Sequence, residues 1–479
     1  MKSNRNNKNN NKKNDNFKDR GKGRYHRKSK SNVRIKSYSV DAQITSINKS
    51  GKAVFEYKGS VFEVPYLLPG EKALLELKEG PRYTEVRTKK LKKESQDRVK
   101  PACRHFKECG GCHLQHMNYE AQLKFKQDQV KNLMSSYGKV NEIIGMENPY
   151  DYRNKVHSTF KTEKKGSIIS GIYKPYSHDI VPIDRCVIQN PKADELIMSI
   201  RKIAKKCKLK PYNEDLEKGF LRHVLIRTGY NTGEIMVVLV VTKKIFPSKT
   251  KFIAELKKAH PEVDTLIMNL NSRKTSVVLG GWEKVLYGKG YIEDILCGKK
   301  FQLSARSFYQ INPIQTEKLY NKAIEMAELK GNEVVLDTYC GIGTIGIIAS
   351  DKAKKVIGVE VNHQAVKNAK NNAKINECSN IEFYERDATD FMKAAAKDDF
   401  DIDVLFMDPP REGSNEHFLG AAVKLSPRTI VYISCNPETQ ARDLKYLVKD
   451  YEVREIQPVD LFPQTHHSEC IVKLVRKGL

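Results

Sequence analysis

Nowhere in this sequence of 479 residues do apolar residues run on for the roughly 18 positions that a membrane-spanning helix needs. The N-terminus is polar and lacks the apolar stretch of a signal peptide. A soluble, cytoplasmic protein is therefore expected. Cysteine is too sparse for a disulfide scaffold, with ten in the whole chain. Some of the ten are clustered, and clustered thiols in a cytoplasmic chain point to metal ligation or chemistry. Acidic residues are also short, 58 Asp and Glu against 85 Lys and Arg, leaving a formal charge of +27. Such a field attracts polyanions, nucleic acid above all. A general bias toward Lys and Asn is the alternative reading of the same surplus. No repeat stands out that would suggest a solenoid.

What is present divides into four stretches. Residues 1–31 hold almost no large apolar side chains and cannot build a core, so a disordered arm is expected. Its twelve Lys and Arg against two Asp suit phosphate contacts as well as simple solubility. Residues 32–92 carry short alternating segments such as VDAQITSI and GKAVFEYKG between Gly and Pro turns, which predicts a small OB-like β-barrel. Residues 93–310 are expected to form a mixed α+β central domain, in which FLRHVLIRTGYNTGEIMVVLVVT reads as two strands joined at Asn-Thr-Gly. From 311 to 479 the helical IQTEKLYNKAIEMAEL precedes strands and helices in alternation, the order of a parallel, doubly wound α/β sheet.

The last stretch carries the chemistry. VVLDTYCGIGTIGIIA, residues 334–349, puts Asp337 at a strand end ahead of Gly341, Gly343 and Gly346 and a helix. Glycine there lets backbone approach a ligand at the carboxyl ends of the strands. Glu360 ends the next strand, where an acid can bond ribose hydroxyls, a spacing that also suits NAD. Asp387 and Asp408 end the third and fourth strands, and the four acids together look like an S-adenosylmethionine-dependent methyltransferase. Cys435, in VYISCNPETQARDL, stands where the fifth strand gives way to a turn and should open into the same crevice. Thiolate addition at carbon 6 of uracil makes carbon 5 nucleophilic enough to take a methyl group. A base must then remove the carbon-5 proton. Glu469, which begins the last strand beside His466 and His467, is placed in sequence to do so.

Upstream, CRHFKECGGCHLQH supplies Cys103, Cys109 and Cys112 in a C-x5-C-x2-C spacing, with Cys186 as a possible fourth ligand. Both zinc and an iron–sulfur cluster suit four thiolates, and His105, His113 and His116 add candidates.

On SFYQINP, DTYCGIGT, GVE, DPPR, SCNPETQARDL and DLFPQTHHSE, together with the upstream cysteines, the chain resembles the RNA 5-methyluridine methyltransferases. The likeness is to the 23S ribosomal RNA branch that carries a TRAM domain and an iron–sulfur cluster. It implies a Rossmann-like class I methyltransferase domain, with S-adenosylmethionine contacts at Gln310, Tyr339, Glu360 and Asp408. It implies Cys435 as nucleophile and Glu469 as base, leaves Cys340 as a packing residue, and assigns a [4Fe-4S] cluster to Cys103, Cys109, Cys112 and Cys186. The implied partner is 23S rRNA, presenting a flipped-out uridine from a single strand or loop, with no membrane and no stable protein partner. Phe308 and Tyr309 are candidates to stack on it. Ser468 and Gln464 depart from the pattern, which usually has a hydrophobic residue and a histidine there. A transfer-RNA enzyme with the same chemistry is the alternative, disfavoured because its family members generally lack the barrel and the cysteines. A noncatalytic RNA-binding protein on the same scaffold is a third reading.

Overall fold

The computed structural model describes residues 36–80, 83–163, 166–175 and 177–478. The basic arm expected at 1–31 lies outside them. Residues 36–93 form two three-stranded antiparallel sheets. In one, Lys72–Gly80 lies between Lys36–Gln43 and Tyr83–Lys93; in the other, Ala53–Tyr57 lies between Ser46–Ile47 and Ser60–Val64. Alternation buries one side of each strand. Ala73, Leu75 and Leu77 thus share a core with Phe55, Val64 and Leu67.

The central stretch builds a seven-stranded mixed sheet, flanked by helices Pro191–Lys206 and Lys249–Ala259. Leu221–Thr228 and Ile235–Val241 are its paired middle strands, joined through Asn231, Thr232 and Gly233. Both are buried along their whole length, because both sheet faces are covered. Val224 and Ile226 pack into the core under the two helices. Leu225, with Met236 and Val238 of the neighbouring strand, packs instead into the core shared with the C-terminal stretch.

In the C-terminal stretch, helix Pro313–Ala327 leads into a seven-stranded sheet. Its strands are β1 (Val334–Thr338), β2 (Lys355–Glu360), β3 (Ile381–Glu385), β4 (Val404–Met407), β5 (Thr429–Ser434), β6 (Tyr451–Val459) and β7 (Glu469–Arg476). They lie in the order β3-β2-β1-β4-β5-β7-β6. The first five are parallel, with a switch point between β1 and β4 where a crevice must open. The doubly wound sheet is as expected, and at its end β7 inserts antiparallel to both β5 and β6. A tight β6–β7 connection cannot return the chain in the parallel sense, which requires a long crossover. Among the described residues no helix is long and apolar enough to cross a membrane.

Candidate active site

A cavity of about 510 Å³ opens over the carboxyl ends of these strands, and Gln310, Tyr339, Glu360, Asp408, Cys435 and Glu469 all line it. The loop after β1 makes room for a ligand. Tyr339 takes a left-handed φ of 63°, which a non-glycine residue adopts only when its surroundings hold it there. Gly343 has φ 82° and leaves no space for a side chain, since a Cβ would sit 2.8 Å from Phe383. A Cβ on Gly341, by contrast, would meet nothing within 4 Å. The backbone N–H of Gly341 donates to Glu360 Oε2 at 3.1 Å.

The four acidic strand ends do different jobs. Glu360 and Asp408 line the cavity. Asp337 lies under the glycine turn, accepting from the Gly346 N–H at 2.8 Å while its other oxygen has no partner. Asp387 stands two residues beyond β3 and caps helix Ala388–Lys397, accepting from Thr389 N–H at 2.8 Å. Asp387 thus serves the helix rather than the cavity, because a carboxylate ahead of a helix is drawn to its free N–H groups. Burial alone pushes Asp408 up to about 7. Burial, aided by Asp408 and Glu360 and opposed by the Gly346 N–H, pushes Asp337 to about 8. No cation pairs with Glu360 or Asp408 among the described residues. Carboxyl groups crowded in this way suit a ligand bringing positive charge and hydroxyl donors, as S-adenosylmethionine does with its sulfonium, ammonium and ribose.

Cys435 owes its place to SCNP. β5 ends at Ser434, Asn436 caps helix Pro437–Leu447 by accepting from Glu438 N–H at 3.2 Å, and Pro437 occupies the first helical turn. The cysteine is thereby displayed between strand and helix. In the antiparallel β5–β7 ladder Ser434 pairs with Cys470, so one further step sets Cys435 across from Glu469. Burial, then Glu469 and Asp408, pushes the Cys435 thiol up to about 11, with Arg411 acting against them. Burial and Asp408 hold Glu469 well above the usual carboxyl range, again opposed by Arg411. Burial thus opposes ionisation of both groups, and positive charge entering the cavity favours it.

Arg411 was not singled out by the sequence reading, although DPPR contains it. Its carbonyl accepts from Asn436 Nδ2 at 3.0 Å and Thr439 Oγ1 at 3.1 Å, tying the loop after β4 to the cysteine turn. A second cavity of about 470 Å³ meets the first at Arg411 and Cys435 and is lined by Lys49 and Ser50 of the N-terminal sheets, with His466 and His467 opposite. Phe308, 65% exposed, lies at the first cavity, whereas Tyr309 is buried with its hydroxyl 3.3 Å from Asp294. Cys340 is buried in the cavity floor against Gly358. Ser468 is buried, and Gln464 forms a reciprocal amide pair with Gln122, each bond 3.1 Å.

The upstream cysteines converge separately. Cys103, Cys109, Cys112 and Cys186 line one cavity of about 170 Å³ together with Arg153, Lys155 and Arg185. No three of their sulfurs lie mutually within 4.8 Å. A tetrahedral zinc, with Zn–S near 2.3 Å, would bring its sulfurs to about 3.8 Å from one another. His105 lines this cavity, but His116 packs against Tyr66 and Phe106, and His113 stacks on His466 with ring centres 4.3 Å apart. Lys155 lines both this cavity and the catalytic one, and burial beside Arg227 and Arg153 lowers it to about 8.

A doubly wound sheet with uncompensated acids at its switch point and a displayed cysteine defines an S-adenosylmethionine-dependent methyltransferase. Residues 118–477 match the model of the tRNA (uracil-5-)-methyltransferase family, and the chain belongs to that family. An uncharacterized RNA methyltransferase of Halalkalibacterium halodurans is 40% identical over 448 residues, 92% of this chain and 97% of the other. One from Staphylococcus aureus is 43% identical over 79% of this chain and 84% of its own. Among solved structures, a Pyrococcus abyssi tRNA (uracil-54, C5)-methyltransferase in complex with S-adenosyl-L-homocysteine is similar, with a TM-score of 0.74 and 28% identity. That match covers 91% of this chain and 100% of the other. So long a span takes in much of the N-terminal sheets, so their presence does not by itself exclude a tRNA enzyme.

Proposed function

We propose that this enzyme methylates carbon 5 of a specific uridine in 23S ribosomal RNA, through a covalent bond from Cys435 to carbon 6 that Glu469 resolves. The antiparallel register that sets Glu469 across from Cys435, within a cavity shared with Asp408 and Gln310, carries this reading. Arg411 favours the Cys435 thiolate, whose addition pushes the ring electrons toward oxygen 4 and leaves carbon 5 nucleophilic. S-adenosylmethionine, when bound, supplies the methyl group as an electrophile. Glu469 then takes the carbon-5 proton, the ring double bond re-forms, and the thiolate leaves. Glu360, Asp408, Tyr339 and Gln310 hold the cofactor. Phe308 offers an exposed ring face to a uridine swung out of the RNA, a movement that costs a few kcal/mol.

In this reading residues 32–92 are a TRAM-type RNA-binding domain and 93–310 a central domain. Residues 311–479 are the methyltransferase domain, and the protein works in the cytoplasm. Cys103, Cys109, Cys112 and Cys186 hold a [4Fe-4S] cluster. Their convergence on one cavity and the arginines around it support that, since four thiolates give such a cluster net negative charge. The methyl transfer contains no redox step for it. A second reading, a tRNA uracil-5-methyltransferase, is favoured by the Pyrococcus abyssi match. Incubation with S-adenosylmethionine and either unmodified 23S RNA or tRNA, followed by mass spectrometry of fragments, separates the two. The expected result is 5-methyluridine in 23S fragments alone, absent with Cys435→Ala. Methylated tRNA with unmodified 23S RNA would transfer the assignment to tRNA, and tight RNA binding without methylation of either would leave a noncatalytic binder.

A further inference from the structure

Glu469 is delivered by an irregular segment, residues 460–468, anchored by His113 and Leu114 beside the cysteines, by helix Tyr119–Met134 that follows them, and by residues of the central and C-terminal stretches. The backbone N–H groups of His113 and Leu114, directly after Cys112, donate to Gln464 O at 2.9 and 3.1 Å. The Gln464 side chain and N–H are bonded to Gln122. Gln464 has φ 69°, a strained conformation for this residue that persists because these bonds over-determine it. Lys126, fully buried, reaches Asp460 Oδ1 at 2.6 Å and Phe462 O at 3.1 Å, and Tyr119 donates to the other Asp460 oxygen at 2.9 Å. Tyr152 donates to Pro463 O at 3.0 Å. Helix Pro313–Ala327 adds Gln315, which donates to Asp460 O at 3.0 Å.

We propose that Gln122 and Lys126 are positioning residues for Glu469, and that the state of the four-cysteine centre, transmitted through His113 and Leu114 to Gln464, sets how readily the covalent adduct is resolved. This rests on the role given to Glu469 above. Displacement of the segment leaves Cys435 free to add to carbon 6. It takes the carboxylate away from the carbon-5 proton, whose removal returns the C–H electrons to the ring and breaks the carbon–sulfur bond. Methylated RNA would then stay attached to the protein.

The test uses the full-length, iron-loaded protein with S-adenosylmethionine and whichever RNA it methylates. Covalent protein–RNA complex is measured on denaturing gels, and amide hydrogen exchange over residues 461–469 is measured without RNA. Gln122→Leu and Cys112→Ser are expected to raise the trapped fraction at least fivefold and the exchange rates at least tenfold, and Tyr152→Phe to raise both less. Wild-type levels of both in Gln122→Leu would overturn the positioning role and in Cys112→Ser the link to the cysteine centre, and faster exchange with no added complex while Glu469→Gln does trap it would overturn both. If Glu469→Gln itself traps nothing, the base assignment fails separately, and the exchange rates alone then decide the bracing. Should Cys112→Ser or Gln122→Leu not fold, Tyr152→Phe, which removes one hydroxyl, decides in its place.

Discussion

The cavity at Cys435 and the cavity at the four upstream cysteines differ in the charged side chains that line them. Around Cys435 the nearest influences after burial are Glu469 and Asp408, and the thiol is pushed up to about 11. Around the four-cysteine cavity stand Arg153, Lys155 and Arg185, with no carboxylate in its lining, yet burial and the neighbouring cysteines push Cys112 up to about 12. Burial therefore quiets the thiol in both places, and what differs is the guest each wall would stabilise. The acid-rich cavity favours a cation and, with it, a thiolate. The base-rich one favours a group that becomes negative once four thiolates bind it. Lys155 belongs to both walls, so the two electrostatic environments are adjacent.

The sharpest way to break the comparison is to remove one thiol from each cavity. Cys435→Ala should lower product formation at least ~10³-fold while changing stability by less than about 0.5 kcal/mol, because the side chain is only half-buried and small. If the four cysteines hold the proposed cluster, Cys109→Ser should lose iron and several kcal/mol of stability, since binding energy at such a centre is folding energy. Assays of turnover, iron content and urea unfolding on both variants check this, and equal behaviour of the two would end the distinction. Next in size, Lys126→Met should cost about 3–5 kcal/mol in urea unfolding, because it leaves Asp460 buried without its cation.

A smaller effect tests the charge of the catalytic cavity. Asp408 sits at about 7 in the free protein, so a ligand that prefers its carboxylate must displace a proton at lower pH. Affinity for S-adenosylhomocysteine should therefore tighten about tenfold from pH 6 to pH 8, and calorimetry on Asp408→Asn should find that dependence gone. The smallest concerns Arg411. Alkylation of Cys435 by iodoacetamide in the free protein should rise about tenfold per pH unit from pH 8 to 10, as expected for a thiol near 11. Arg411→Ala should slow it a few-fold, and an unchanged rate would remove Arg411 from the site.

Much of the candidate site's layout was legible because its signals are local. The turn after Ser434 is written in SCNP, where a capping asparagine and a first-turn proline follow the cysteine. The Gly341/Gly343 loop and the acids at strand ends are equally local. Asp387 was placed at a strand end and proves to be a helix cap, because the two look alike in sequence and differ only in which N–H groups fold back toward the carboxylate. Spacing left zinc and a cluster open because both accept four thiolates, and only packing brings sulfurs from residues 103 to 186 to one cavity. Gln464 looked like a departure from pattern, yet its partner Gln122 lies 342 positions earlier.

The sequence by itself determined the chemistry on offer: a displayed cysteine, a carboxylate at the start of a strand, glycines where backbone must approach a ligand, and four thiols near basic residues. Those follow from short-range backbone preferences and residue type. Only the tertiary structure decided that Glu469 faces Cys435, because β7 enters the sheet antiparallel to β5 and the Ser434–Cys470 register fixes what lies one step further on. It also decided that the segment leading to Glu469 is anchored on the cysteine-bearing stretch. A buried lysine and a buried glutamine reach partners across hundreds of residues of chain, and such pairings are set by packing and by the cost of leaving polar groups unbonded.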